Sequence, residues 1–134
     1  SLYHHVSSKQ EILAAILDRA LDLLIRRMEI VIAQPLPPAE KLRQAVYSYL
    51  EVMLENRDLA TVLLLEHRSL DAAATARHIP RRDRFERLWR NLISEGLEAD
   101  VFCCVDPVLA ARAMLGVMNW TITWYHPEGP LSRQ

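Results

Sequence analysis

Apolar residues recur at intervals of three and four along most of the chain, the spacing that places them on one face of an α-helix. A capping box, Ser8 with Glu11, predicts that the first helix begins at Ser8, and the prolines that follow Ala33 predict its end. Its apolar stripe comprises Ile12, Leu13, Ile16, Leu17, Ala20, Leu21 and Leu24. Alternating patterns typical of strands are short, so we expect an all-α fold.

Two further helices follow the proline-rich segment. Pro38 suits the first turn of a second helix, which we expect to end near Asn56, because proline has no amide hydrogen to leave unbonded there. Asp58 is a suitable N-cap for a short third helix, which would run through Leu65.

The second half of the chain predicts two long amphipathic segments. Pro80 is expected to interrupt any helix that crosses it, so no helix or strand is predicted for residues 69–79. A helix is expected from Pro80 to about Gly96. Asp106 then caps a last helix whose body, residues 108–125, is apolar nearly all round. We expect that helix to be the central, covered element of a bundle of roughly five to six helices.

Composition and charge narrow the class of protein. The 134 residues are 51% hydrophobic and 25% charged, which predicts one compact soluble domain. Sixteen basic and seventeen acidic residues leave a net charge of −1, which excludes a body that is cationic all over and binds nucleic acid non-specifically. Adjacent Cys103 and Cys104 form no disulfide framework, which favours a reducing cytoplasm. Arg112 and Asn119 within the longest apolar stretch predict a buried helix, not a membrane span.

The N-terminal segment offers several donors for phosphate. Tyr3, His4, His5 and Lys9 lie at or beside a predicted helix N-terminus, whose dipole also favours an anion. These residues suit either a DNA contact or an ordinary helix–helix corner with exposed polar side chains. A metal site at the two histidines is disfavoured, because adjacent helical side chains point about 100° apart.

The run Leu2-Tyr3-His4-His5-Val6-Ser7-Ser8-Lys9-Gln10-Glu11-Ile12-Leu13 resembles the end of the recognition helix and the start of the fourth helix in the TetR family of bacterial transcriptional repressors. The rest of the chain resembles the all-helical ligand-binding and dimerisation domain of that family. The segment 118–132 further resembles a subgroup whose members often respond to acyl-coenzyme A thioesters.

This resemblance implies a domain division and a DNA contact. Residues 1–6 would be the end of the helix-turn-helix recognition helix, and residues 7–134 the effector-binding and dimerisation domain. Tyr3 and His5 would approach the DNA backbone, His4 a base edge, and Lys9 a phosphate. The family places two more helices before Leu2 and one after Leu131-Ser132, so we expect a chain truncated at both ends.

The implied function is that of a cytoplasmic transcriptional repressor with no cofactor, no metal and no membrane association. Its helical domain would bind a small apolar or acyl-CoA-type effector and release operator DNA. A homodimer would form through the 107–125 helix together with a helix that follows it. The alternative from a different class is a helical interaction module that dimerises through 107–125, has a filled core and binds no small ligand.

Candidate effector-binding residues come from three groups. Large side chains in the predicted helices could line a pocket between them or fill the core: Tyr47, Met53, Phe85, Trp89, Met114, Met118, Trp120 and Trp124. Asn119 needs a partner inside its apolar helix, which would be a ligand carbonyl, a backbone group or its own copy across a dimer. His67 would face either such a cavity or solvent.

The arginine cluster at residues 81–90 has two interpretations. Arg82, Arg87 and Arg90 each have an acidic residue four positions away, which is typical of a solvated helix face with local ion pairs. Arg81 and Arg84 have none four residues onward, so these two are the candidate anchors for an anionic ligand. The sequence contains no grouping of Ser, His and acid, no glycine-rich phosphate loop and no metal-ligand spacing, so no enzyme activity is expected.

Overall fold

The structure, a computed structural model, describes residues 2–125, with side chains from Ser8 onward. This part of the chain consists of helices: α1 (Leu2–Ala33), α2 (Pro38–Glu55), α3 (Arg57–Leu65), a 3₁₀ turn (Glu66–Ser69), α4 (Ala72–Glu98) and α5 (Pro107–Trp124). The predicted all-α fold is confirmed. Leu131-Ser132, after which the resemblance places a further helix, lies outside the described residues.

The core forms where α1, α2 and α4 meet. The longest helices, α1 and α4, make the most extensive helix–helix contact, and α2 packs against both. Trp89 is fully buried and meets the rings of Tyr49 and Phe85 edge-on, with centroids 6.1 and 6.2 Å away. Edge-to-face packing of this kind aligns the positive edge of one ring with the negative face of another, so it fixes how α2 sits on α4.

The first helix is longer than predicted. It starts at Leu2, so Ser8 lies inside α1 and is not its N-cap. A capping box acts only where the preceding backbone leaves the helix, because only then are the first amides unbonded. Residues 2–7 continue the helix instead, and α1 therefore runs without a break from Leu2 to Ala33.

The fourth helix crosses Pro80, so the predicted interruption is wrong. Pro80 removes the amide that would bond the carbonyl of Ala76, yet both residues are exposed, and solvent can reach that carbonyl. Packing along α1 on both sides of the proline outweighs the remaining cost. The true N-terminus is at Asp71, whose carboxylate accepts from the amide of Ala74 at 2.8 Å.

Of the N-caps predicted at Asp106 and Asp58, the first is confirmed and the second is wrong. Asp106 caps α5 as predicted, because its Oδ1 accepts from the amides of Val108 and Leu109 at 2.9 and 3.1 Å. The cap predicted at Asp58 is wrong, since α3 begins at Arg57 and Asp58 lies in its first turn. An acidic side chain in that position still complements the helix dipole.

The last described helix is not central, contrary to the prediction. Ala111, Met118 and Ile122 are buried on one face of α5, whereas Val117 and Trp120 are 67% and 70% exposed on another. A helix that is apolar on all sides is expected to be covered from solvent, but this pattern does not say whether its own chain or another molecule covers it. Within residues 2–125, no helix combines the length and hydropathy that a bilayer-spanning segment requires.

Candidate ligand-binding cavity

A cavity of about 380 Å³ lies between the helices. Each element of the bundle contributes to its wall: Leu21, Leu24, Tyr49, Leu63, Leu64, His67, Ile79, Arg82, Asp83, Phe85, Glu86, Leu115 and Asn119. Its volume falls within the range of roughly 300–1,000 Å³ that is typical of small-molecule sites. The cavity therefore has the size and position of a ligand site in a helical bundle.

The wall changes from apolar to charged across the cavity. Leu21 and Leu24 lie on one face of α1, and with Phe85 of α4 they form a buried apolar floor. Arg82 and Asp83 of α4 are exposed and form a charged rim. A ligand that fits this gradient has an apolar part and a charged or strongly polar part.

A hydrogen bond between α2 and α5 forms the polar part of the wall. The hydroxyl of Tyr49 donates to Oδ1 of Asn119 at 2.5 Å. Burial raises the pKa of Tyr49, so its hydroxyl remains a protonated donor at neutral pH. Among the hydrogen bonds of the described residues, Asn119 uses only this oxygen, so its Nδ2 can donate to an acceptor in the cavity.

The charged groups at the rim pair across helices. Glu86 accepts from Nε of Arg112 at 3.0 Å, which ties α4 to α5. None of the ion pairs within the described residues involves Arg82. His67 approaches the carbonyl of Leu63 at 3.2 Å, and burial followed by the charge of Arg82 lowers its pKa.

The two arginines predicted as anionic anchors lie outside the cavity. Arg81 bridges Asp18 and Asp22 of α1, each at 3.4 Å, and Arg84 contacts Glu29 of α1 at 2.5 Å. Their partners come from another helix, which a count of residues four positions onward does not reveal. Arg82 lines the cavity instead, without the local Glu86 pair that the sequence indicated.

The other predicted ligand-binding residues divide between cavity, core and surface. Phe85, His67 and Asn119 line the cavity. The core or its margin holds Met53, Trp89, Met118 and Met114. The outer surface holds Tyr47, Trp120 and Trp124.

Sequence reasoning missed Tyr49 as a cavity residue, although a signal for it existed. Tyr49 belongs to the apolar stripe of α2, whereas Tyr47 does not and is 68% exposed. The partner of Asn119 was missed as well. The Oδ1 atom of Asn119 accepts from the Tyr49 side chain, a partner that the sequence did not suggest.

Gln10, near the N-terminal end of α1, contacts the segment that leads into α4. The side-chain amide of Gln10 donates to the carbonyl of Ser69 at 2.7 Å and accepts from the amide of Asp71 at 2.9 Å. Lys9 beside it is exposed. The side chains of Tyr3, His4 and His5 lie outside the described residues.

Comparison with known proteins identifies the family. Residues 35–134 match the family described as "Tetracyclin repressor-like, C-terminal domain". The chain belongs to this family. The resemblance to TetR repressors that the sequence indicated is therefore confirmed.

The chain is similar to transcriptional regulators of known name. The repressor KstR2 of Mycobacterium tuberculosis is 26% identical over 136 residues, which span all of this chain and 68% of KstR2. PfmR from Thermus thermophilus has 36% sequence identity to this chain, and its structure superposes with a TM-score of 0.85. The match covers 98% of this chain and 71% of PfmR. AibR, whose structure is of a complex with isovaleryl coenzyme A and operator DNA, has 26% sequence identity and a TM-score of 0.82. The match covers 98% of this chain and 71% of AibR.

Proposed function

We propose that this chain is the effector-binding and dimerising body of a transcriptional repressor, which binds a small amphipathic effector in the cavity and releases operator DNA. The observation that carries the proposal is the cavity itself, whose floor includes Leu21 and Leu24 of the helix that continues to Leu2. A filled core would favour the interaction module instead, and a cavity with an arginine at its rim favours the sensor.

The cavity wall favours an acyl-CoA thioester as the effector. Leu21, Leu24 and Phe85 offer apolar contacts to a short acyl chain, and Nδ2 of Asn119 is a donor for the thioester carbonyl. Arg82 at the rim suits phosphate oxygens through charge-assisted bonds. A cavity of about 380 Å³ accommodates the acyl end, so the nucleotide end would lie beyond the rim. The similarity to AibR, whose structure contains isovaleryl coenzyme A, supports this ligand class.

Release of DNA would follow from linkage between the cavity and α1. A ligand that contacts Leu21 and Leu24 favours the arrangement of α1 that fits it best. We assign residues 1–6 to the end of the recognition helix, with Tyr3, His4, His5 and Lys9 at the DNA. Displacing α1 in both subunits changes the spacing of the two recognition helices, and half-sites about one DNA turn apart tolerate little change.

The exposed face of α5 is our proposed dimer surface. Leu109, Val117 and Trp120 are each at least 67% exposed on this apolar helix, and two copies related by a two-fold axis could cover each other's face. We place the repressor in the cytoplasm, whose reducing environment would keep the two exposed cysteines free. We propose no catalytic activity for it.

Isothermal titration calorimetry with short-chain acyl-CoA thioesters tests the ligand class. Coenzyme A and isovaleric acid, the two halves of isovaleryl-CoA, are titrated separately as controls. We expect one isovaleryl-CoA site per chain and weaker binding of either half. Arg82→Ala should weaken binding by about ten-fold or more, since a hydrogen bond to a charged group contributes roughly 1.5–3 kcal/mol. Arg87→Ala, on the same helix but outside the cavity, is the matched control. Equal effects of the two substitutions, or no binding across the series, would contradict the proposal.

A further inference from the structure

Two adjacent thiols lie together in the connection between α4 and α5. Cys103 and Cys104 are both exposed, and their Sγ atoms are 3.1 Å apart, with Cys104 donating to Cys103. Side chains of neighbouring residues in an extended segment point in opposite directions. This loop instead places both sulphur atoms on one side, where a single atom can bind both.

An unusual backbone conformation produces this arrangement. Cys104 has φ of +65°, in the left-handed region that residues other than glycine seldom adopt. The flanking segments hold it there. On one side the amides of Val101 and Phe102 donate to the carbonyl of Gly96, and the Phe102 ring occupies the space where a Cβ on Gly96 would lie. On the other side Asp106 caps α5.

Neither a disulfide nor zinc suits this pair. Adjacent Cα atoms are about 3.8 Å apart across a trans peptide, which is shorter than the roughly 4.4–6.8 Å of ordinary disulfides, so ring closure strains the loop. Structural zinc requires four ligands, and within residues 2–125 no group of three or more His, Cys, Asp or Glu could hold a metal ion. The favoured ligand is therefore a soft centre that needs only two sulphur atoms from the protein.

We propose that Cys103 and Cys104 form a bidentate dithiol site for trivalent arsenicals. With an organoarsenic(III) oxide, two As–S bonds form, the arsenic–oxygen bond breaks, and the two thiol protons leave with the oxygen as one molecule of water. Arsenic stays trivalent and no oxidant or reductant is consumed. The hydrogen bond between the thiols raises the pKa of Cys103. The site does not rest on the proposed effector function, because neither cysteine lines the cavity.

Intact-protein mass spectrometry of the chain treated with phenylarsine oxide tests the site. We expect one phenylarsenic group per chain, with loss of two hydrogens, which persists in excess 2-mercaptoethanol and is removed by an equal concentration of dithiothreitol. The resistance arises because a chelate must break two As–S bonds before the arsenic is lost, whereas a monothiol adduct breaks one.

Cys103→Ser and Cys104→Ser are the matched variants, and both positions are exposed, so the helical body is unaffected. Each variant should lose the adduct in 2-mercaptoethanol, and the far-ultraviolet circular dichroism of wild type should be the same with and without arsenical. An adduct that resists the monothiol equally in either single variant would overturn the proposal, as would a wild-type adduct that 2-mercaptoethanol removes.

Discussion

Tyr49→Phe tests the hydrogen bond between Tyr49 and Asn119, which joins α2 to α5 in the cavity wall. The substitution removes the hydroxyl that donates to Asn119 at 2.5 Å and keeps the ring that packs against Phe85 and Trp89, with centroids 5.7 and 6.1 Å away. The expected loss is therefore that of a hydrogen bond and not of core packing. A hydrogen bond between neutral groups contributes about 0.5–1.5 kcal/mol net, and more when the remaining partner is left buried without water.

The structure sets the magnitude within that range. Asn119 is half-buried and borders the cavity, where water can hydrate the oxygen that loses its donor. We therefore expect Tyr49→Phe to lower the free energy of unfolding by about 1 kcal/mol, or the melting temperature by about 4 °C at this chain length.

Urea unfolding followed by circular dichroism measures this change. Tyr47→Phe is the matched control, because Tyr47 is two positions away on the same helix and 68% exposed, and it should change stability by less than about 0.5 kcal/mol. A loss above about 3 kcal/mol for Tyr49→Phe would refute the reasoning, since it would indicate an oxygen that water does not reach. Equal effects of the two substitutions would refute it as well.

Three further predictions concern a cap, a buried histidine and the exposed helix face. Asp71→Ala should lower the free energy of unfolding by about 1 kcal/mol in urea titrations, since it removes the N-cap of α4; no loss would contradict that role. Burial, followed by the charge of Arg82, lowers the pKa of His78, although Asp18 lies 3.9 Å away. Because the unfolded chain then takes up the proton at a higher pH than the folded chain, the free energy of unfolding should fall as the pH drops below about 6.5. His78→Gln should flatten that decline between pH 7.5 and 5.5, and an unchanged slope would contradict the assignment. Trp120→Glu should shift sedimentation equilibrium towards monomer with unchanged helix content, and a persistent dimer would exclude this face.

Local patterns predicted most of the helices because their apolar stripes and caps depend on neighbours in sequence. Leu17, Leu21 and Leu24 of the α1 stripe are buried as predicted, and the cap at Asp106 is confirmed. Ile12 and Ile16, which the same stripe includes, are exposed. The errors arise where tertiary contacts outweigh local preference. Pro80 lies inside α4 because packing along α1 stabilises both halves of the helix, and the cap at Ser8 is unused because the preceding residues are helical.

The cavity was harder to predict than the fold because its wall combines residues from every helix. Asn119 could be singled out, since an amide in an apolar helix requires a partner, but its partner Tyr49 lies 70 positions away. Arg81 and Arg84 pair with α1, and Arg82 remains at the rim. Which of three neighbouring arginines faces a cavity depends on the rotation of α4 against α1, and the charge pattern alone does not encode that rotation.

Hydrogen–deuterium exchange of the chain, with and without the acyl-CoA thioester that binds best, tests the link between cavity and α1 most directly. We predict slower exchange in the cavity segments 63–67, 79–86 and 115–119, together with a change in α1 that extends as far as Gln10. Exchange that is unchanged at saturating ligand would contradict this account. So would protection confined to the open groove around Ile16, Arg19 and Leu59, which lies apart from the cavity.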